Sequence, residues 1–202
     1  LGWEPDAPAG RARLAPQLPP GWEGVRVSGL RVGTARLDVA IDQGPGRLSV
    51  RLEPRQGRLE LEVRPAWPAG ARDLAIFVDG SRTRTAEGGG AAVALDGRTR
   101  VVEAHWTGGL AVEAPPAPLD PGQADRGLRV LDFEATPEGW RMVLEGPAGG
   151  SGTVRLHGEH PASAAGAALR IQGADAEARV SFPASSHDLF TTAEVRLYRG
   201  RR

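Results

Sequence analysis

From Gly24 onward, hydrophobic and polar residues alternate along the chain with a period of two. Val25 and Val27, then Ala35, Leu37, Val39 and Ile41, then Leu48, Val50 and Leu52, then Leu59, Leu61 and Val63 each fall on one side of their segment. Successive side chains of a strand point to opposite faces, so this spacing predicts strands with one buried face and one wet face. The pattern continues through 74–78, 92–95, 101–106 and 110–112. It restarts at 128–133, 140–144, 154–156, 169–171, 178–182 and 193–197. Many short strands separated by turns, about seven to nine in the first part and about six in the second, predict a sandwich or barrel. Ala162 to Ala168 is the nearest approach to a helix, but Gly166 and Pro161 favour a loop or a single turn.

Turn chemistry punctuates the strands at Gln43-Gly44-Pro45-Gly46, Arg55-Gln56-Gly57, Pro68-Ala69-Gly70, Asp79-Gly80 and Asp96-Gly97. Asp-Gly between apolar runs is a hairpin signal, because both positions tolerate positive φ. Before Gly24, the prolines at 5, 8, 16, 19 and 20 predict an extended arm. Pro115-Pro116-Ala117-Pro118 predicts a linker. The expected fold is therefore all-β, an antiparallel β-sandwich built as one extended two-sheet unit or as two small sandwiches. Its parts are an arm at 1–23, a sandwich at 24–114, a linker at 115–126, and at 127–202 a second sandwich or a continuation of the first. Gly29-Leu30-Arg31-Val32 reappears as Gly127-Leu128-Arg129-Val130, but four matched residues do not establish a repeat.

Composition narrows the chemistry. The chain of 202 residues has no cysteine, which excludes disulfides, thiolate nucleophiles and cysteine metal sites. Its 25 basic residues, all arginine, balance 25 acidic ones. They are interleaved, as in Arg58, Glu60, Glu62 and Arg64, instead of forming a basic stripe, which argues against a nucleic-acid partner. No apolar run approaches the ~20 residues of a transmembrane helix, so no membrane partner is expected. The first residues, Leu1-Gly2-Trp3-Glu4-Pro5, carry no signal-peptide pattern. They read as a chain entered partway; localisation stays open, with the cytoplasm the first expectation.

Candidate chemistry is sparse. Ser186-His187-Asp188 holds the three residue types of a hydrolase triad, but neighbours on an extended chain point apart and cannot form one relay. His157 and His160 could share a metal only on a helix, which Gly158 and Pro161 oppose; they read as loop histidines. The Gly-rich runs at 88–90 and 146–152 lack the lysine and following helix of a phosphate loop. No catalytic residue, metal ligand or cofactor is assigned. Trp3, Trp22, Trp67, Trp106 and Trp140 mostly lie beside Pro or Gly, where an indole can stack on a sugar ring, contact a neighbouring domain or fill the core.

One stretch has a family resemblance. Gly2 to Arg11, then Leu14-Ala-Pro-Gln-Leu-Pro-Pro-Gly-Trp22, then Val25 to Gly33 and Ala35-Arg-Leu-Asp-Val39 together resemble the C-terminal end of bacterial glycogen-debranching (amylo-α-1,6-glucosidase-like) enzymes. Asp188-Leu-Phe-Thr-Thr-Ala-Glu-Val-Arg-Leu197 is similar to a closing strand of such proteins. The resemblance implies a β-rich tail beside an (α/α)6 catalytic barrel, in cis or as a separate chain. It transfers no catalytic residue, since the acids of that family lie in the barrel. The expectation that follows is a non-catalytic accessory domain of an α-glucan-processing glycoside hydrolase, with α-glucan itself a possible ligand. A free-standing carbohydrate-binding module using exposed tryptophans and a structural or adhesive extracellular sandwich are the alternatives.

Overall fold

The computed structural model of the chain describes residues 2–19, 22–85, 89–115, 127–173 and 175–200. Each regular element among them is a strand. The first eleven are β1 (Trp3–Asp6), β2 (Arg11–Leu14), β3 (Gly24–Val32), β4 (Ala35–Gly44), β5 (Arg47–Gln56), β6 (Leu59–Val63), β7 (Arg72–Val78), β8 (Ser81–Thr83), β9 (Ala91–Leu95), β10 (Arg100–Thr107) and β11 (Leu110–Glu113). The remaining seven are β12 (Arg129–Ala135), β13 (Gly139–Pro147), β14 (Ser151–Gly158), β15 (Ser163–Ala165), β16 (Ala168–Gln172), β17 (Asp175–Ser181) and β18 (Phe190–Tyr198). They form two compact units, Leu1–Trp67 with Ala71–Thr107, and Pro68–Gly70 with Gly108–Arg202.

The first unit stacks a four-stranded sheet, β1-β2-β6-β9, on a six-stranded sheet, β3-β4-β5-β10-β7-β8. The alternation read from the sequence is what fills the space between them. Leu37, Val39 and Ile41 of β4, Val50 and Leu52 of β5, Leu61 and Val63 of β6, and Val93 and Leu95 of β9 are all buried in one aliphatic cluster. Each is separated by one residue from the next, so every strand contributes a single inward row. The second unit repeats the scheme with sheets β11-β14-β17-β16 and β12-β13-β18-β15. Leu110, Trp140, Met142, Leu144, Val154, Leu156, Val180, Val195 and Leu197 form its core. The all-β sandwich expectation is met, in the form of two sandwiches.

Several local expectations are corrected. Residues 3–14 are a paired hairpin and not an arm, with Trp3 opposite Leu14 and Asp6 opposite Arg11. Pro5 sits in the edge strand β1, where a missing N–H costs no ladder bond, and β2 itself contains no proline. The sheets are not wholly antiparallel either, because β2 runs parallel to β6. A parallel neighbour needs a long crossover, and the passage through β3, β4 and β5 of the facing sheet supplies it.

Turns also divide by geometry. Asp79 and Gly80, with φ of 50° and 78°, close the β7–β8 hairpin as a two-residue turn of mirror-image type. Asp96-Gly97 instead joins β9 to β10, which lie in different sheets. The link runs over four residues, 96–99, enough to step between layers about 10 Å apart. Within 162–168, expected as loop or turn, Ser163–Ala165 pairs with β18 as a short strand. Of the expected linker at 115–126, all but Pro115 lies outside the described residues. The change of unit falls earlier, at Thr107 and Gly108, where Gly108 and Gly109 both have positive φ, and β11 pairs with β14.

The excursion Pro68–Gly70 belongs to the second unit. Ala69 and Leu110 exchange both backbone hydrogen bonds at 3.0 Å. The Ala69 carbonyl also accepts from the Trp140 indole Nε1 at 2.7 Å. Arg199 covers the Trp140 ring with its guanidinium carbon 4.3 Å from the centroid. Gly70 follows with φ +77°, and a Cβ there would meet Arg199 Nη2 at 2.5 Å.

Leu14 tests whether the N-terminal hairpin is part of the core, since its side chain is fully enclosed. Leu14→Ala is expected to destabilise the first unit by about 2–5 kcal/mol, the usual range for a buried leucine, measured by urea unfolding. A change within ~0.5 kcal/mol, as for a surface site, would return the segment to the status of an arm.

Candidate functional site

Because the inward rows are apolar, charge is confined to the outward rows, and strand register decides which charges meet. On the β1-β2-β6-β9 sheet, one row reads Glu4, Arg13, Glu62 and Ala92 across the four strands. The next reads Asp6, Arg11, Glu60 and Ala94. Arg13 Nη1 donates to Glu4 at 2.8 Å and Arg11 Nε to Glu60 at 3.0 Å. Arg13 Nε lies 3.5 Å from Glu62, which in turn accepts from Arg64 Nε at 2.6 Å. The long charged side chains stand above the sheet while Ala92 and Ala94 leave its β9 side low. The resulting groove has a volume of about 770 Å³.

The outward faces of the other sheets carry ion pairs of the same cross-strand kind. Arg141 of β13 reaches Asp132 and Glu134 on β12 and Glu194 on β18, at 2.9, 3.0 and 3.0 Å. Asp38 accepts from the Gly29 amide and from Arg55 Nε, each at 2.8 Å. Gly29 lies in the β3 bulge between Val27 and Leu30 with φ +73°, which turns its N–H onto the carboxylate. That amide, and then Arg55, holds the Asp38 carboxyl below its usual range. The Val101 amide, with Arg100, lowers Asp79. Arg141 and Arg196 lower Glu194.

The five tryptophans do not form one platform. Trp67 and Trp106 meet edge to face, centroids 5.8 Å apart, and with Trp3 they pack partly buried against the first core. Trp22 is 54% exposed just before β3, whereas Trp140 is 1% exposed and offers no face to a ligand. His157 is not a loop residue: it lies in β14 with Nε2 3.1 Å from Glu113 of β11, and His160 lies beyond the strand end. Around Ser186-His187-Asp188 the organising group is Ser185. Its hydroxyl donates to the Asp188 carboxylate at 3.0 Å and accepts the amides of His187 and Asp188 at 3.2 and 3.0 Å. That closes a turn between β17 and β18. The sequence reading missed the groove, because nothing local marks Arg11 and Glu60 as partners across 49 positions.

Two measurements follow. Carboxyls held below their unfolded values contribute stability that is complete above about pH 4 and is lost as the pH falls through their folded values. The melting temperature is therefore expected to be flat from about pH 7 to 5 and to fall below about pH 4, with a shallower fall in Asp79→Asn. An unchanged acid limb in that variant would show that ionisation of Asp79 contributes nothing to it. Trp140→Phe removes the donor to Ala69 while keeping an aromatic filler, and should cost the second unit about 1–3 kcal/mol in denaturant unfolding.

Residues 7–66, less than a third of the chain and covering β2 through β6, match the family model described as "Glycosyl hydrolase family 65, C-terminal domain". No curated protein matches the chain. Among solved structures, it is similar to Ara127N, a GH127 β-L-arabinofuranosidase from Geobacillus stearothermophilus T6, at 11% identity and a TM-score of 0.41, over 100% of this chain and 35% of that one. A second, described as a glycoside hydrolase, is similar at 14% identity and a TM-score of 0.34, over 86% of this chain and 34% of that one. The chain thus spans about a third of the length of either structure. The match over residues 7–66 supports one coarse assignment, an accessory β-domain of a glycoside hydrolase.

Proposed function

We propose that this chain is the non-catalytic accessory β-region of an α-glucan-processing hydrolase of the glycogen-debranching kind. Its partner is an (α/α)6 catalytic barrel supplied in cis or by a separate chain. The observation that carries the reading is the glycosyl hydrolase C-terminal-domain match over residues 7–66. It overlaps the stretch from Gly2 to Val39 whose wording resembles the debranching-enzyme tail. The physical contribution on this reading is structural: two aliphatic cores hold stiff charged sheet faces against or beside the barrel. A free carbohydrate-binding module built on a tryptophan platform fits less well, because Trp140 is enclosed and Trp3, Trp67 and Trp106 are spent partly on the first core.

Co-expression of the chain with the barrel encoded in line with it or beside it tests the proposal. Expected are co-purification and a rise of several degrees in the barrel's melting temperature, with little change in its rate per site on maltooligosaccharides. A barrel whose recovery and melting temperature are the same with and without the chain overturns it.

A further inference from the structure

The groove on the β1-β2-β6-β9 sheet is not explained by a purely structural role. We propose that it is a binding site for a neutral oligosaccharide, held by paired arginines and carboxylates over a floor of small residues. The choice of an α-glucan as the sugar rests on the function proposed above; the polyol chemistry does not.

Three features of the groove favour this class of ligand. The first is its size, about 770 Å³, within the roughly 300–1,000 Å³ typical of small-molecule sites. The second is its two-sided chemistry. Ala92 and Ala94, outward and exposed on β9, form an apolar floor beside Glu62 and Glu60, their register partners. A pyranose has the same division, with an apolar C–H face and a rim of hydroxyls. The third is the state of the charges. The Arg13–Glu4 and Arg11–Glu60 pairs are already made, at 2.8 and 3.0 Å. A hydroxyl both donates and accepts, so it can add to a carboxylate and a guanidinium at once without breaking the pair.

Charge argues against the other occupants. The lining carries four carboxylates, Glu4, Asp6, Glu60 and Glu62, against the guanidiniums of Arg11 and Arg13, a net charge of −2. With Arg64 also paired to Glu62, the groove has no surplus of positive charge to hold a phosphate or a nucleic acid. Among the described residues no group of three or more His, Asp or Glu side chains is placed to hold a metal ion. A basic peptide is the remaining competitor, and its attraction would be strongly salt-dependent.

The test is a backbone amide NMR titration of the 202-residue chain with maltoheptaose. Shift changes are expected at residues 4, 6, 11–13, 60–62 and 92–94, persisting in 0.5 M NaCl. Ala92→Arg fills the groove from an exposed position and should weaken binding at least about tenfold. Glu62→Gln keeps the volume, removes a charged acceptor, and should weaken it in the same direction. Melting curves of both variants confirm that the sheet is intact. Absence of shifts in the groove, shifts centred on Trp22 instead, or binding of trilysine but not of maltoheptaose would each overturn the site. Both variants should still stabilise the catalytic barrel, so loss of sugar binding and loss of the accessory role are separately readable.

Discussion

The constraint on which the structure depends is the thinness of a two-sheet core. Each strand can send only alternate residues inward, and among the described residues the buried set contains no charged or polar side chain. Burial of rows such as Leu37-Val39-Ile41 and Leu59-Leu61-Val63 drives folding through removal of apolar surface from water. The same alternation forces every Arg, Asp and Glu of those strands outward. The charged rows are thus the necessary complement of the aliphatic ones, and strand register alone decides whether they meet as partners or as like charges.

In both units the outward rows are neutralised locally. Arg141 is shared by three carboxylates from two neighbouring strands, and Asp38 collects an amide and a guanidinium. Pairs this exposed contribute little to stability individually, because water screens them. Their effect is on specificity: a one-residue slip of β2 against β6 would put Arg13 toward the core and Leu14 toward water. The same register lines up the charged rows beside the groove on this sheet, which is deepened where β9 carries alanines in place of long side chains.

The strands were legible in the sequence because alternation is a local signal. Ala35, Leu37, Val39 and Ile41 are all buried as their spacing predicts. What was not legible depends on contacts between distant segments. The parallel pairing of β2 with β6, the conversion of a proline-rich start into a hairpin, and the rows joining Arg11 to Glu60 leave no mark within any short window. Asp79-Gly80 and Asp96-Gly97 look alike in sequence, yet one closes a hairpin and the other changes sheets, because the partner of the following strand differs. Tryptophan was ambiguous for a similar reason: flanking Gly and Pro do not reveal that Trp140 is enclosed beneath Arg199.

Pro68–Gly70 gives the chain an interlaced architecture. The polypeptide passes from one unit to the other after Trp67, returns after Gly70 and leaves again after Thr107. A protease that nicks between Thr107 and Gly108 would leave the two pieces threaded through one another's sequence, because the three residues that seat Leu110 and Trp140 arrive from the opposite side of the cut. Gene dissection at that boundary would therefore produce a C-terminal fragment stripped of its own Ala69 rung, and an N-terminal one carrying Pro68–Gly70 as an unpartnered internal loop. Shuffling of such a module between enzymes is workable only as an undivided cassette.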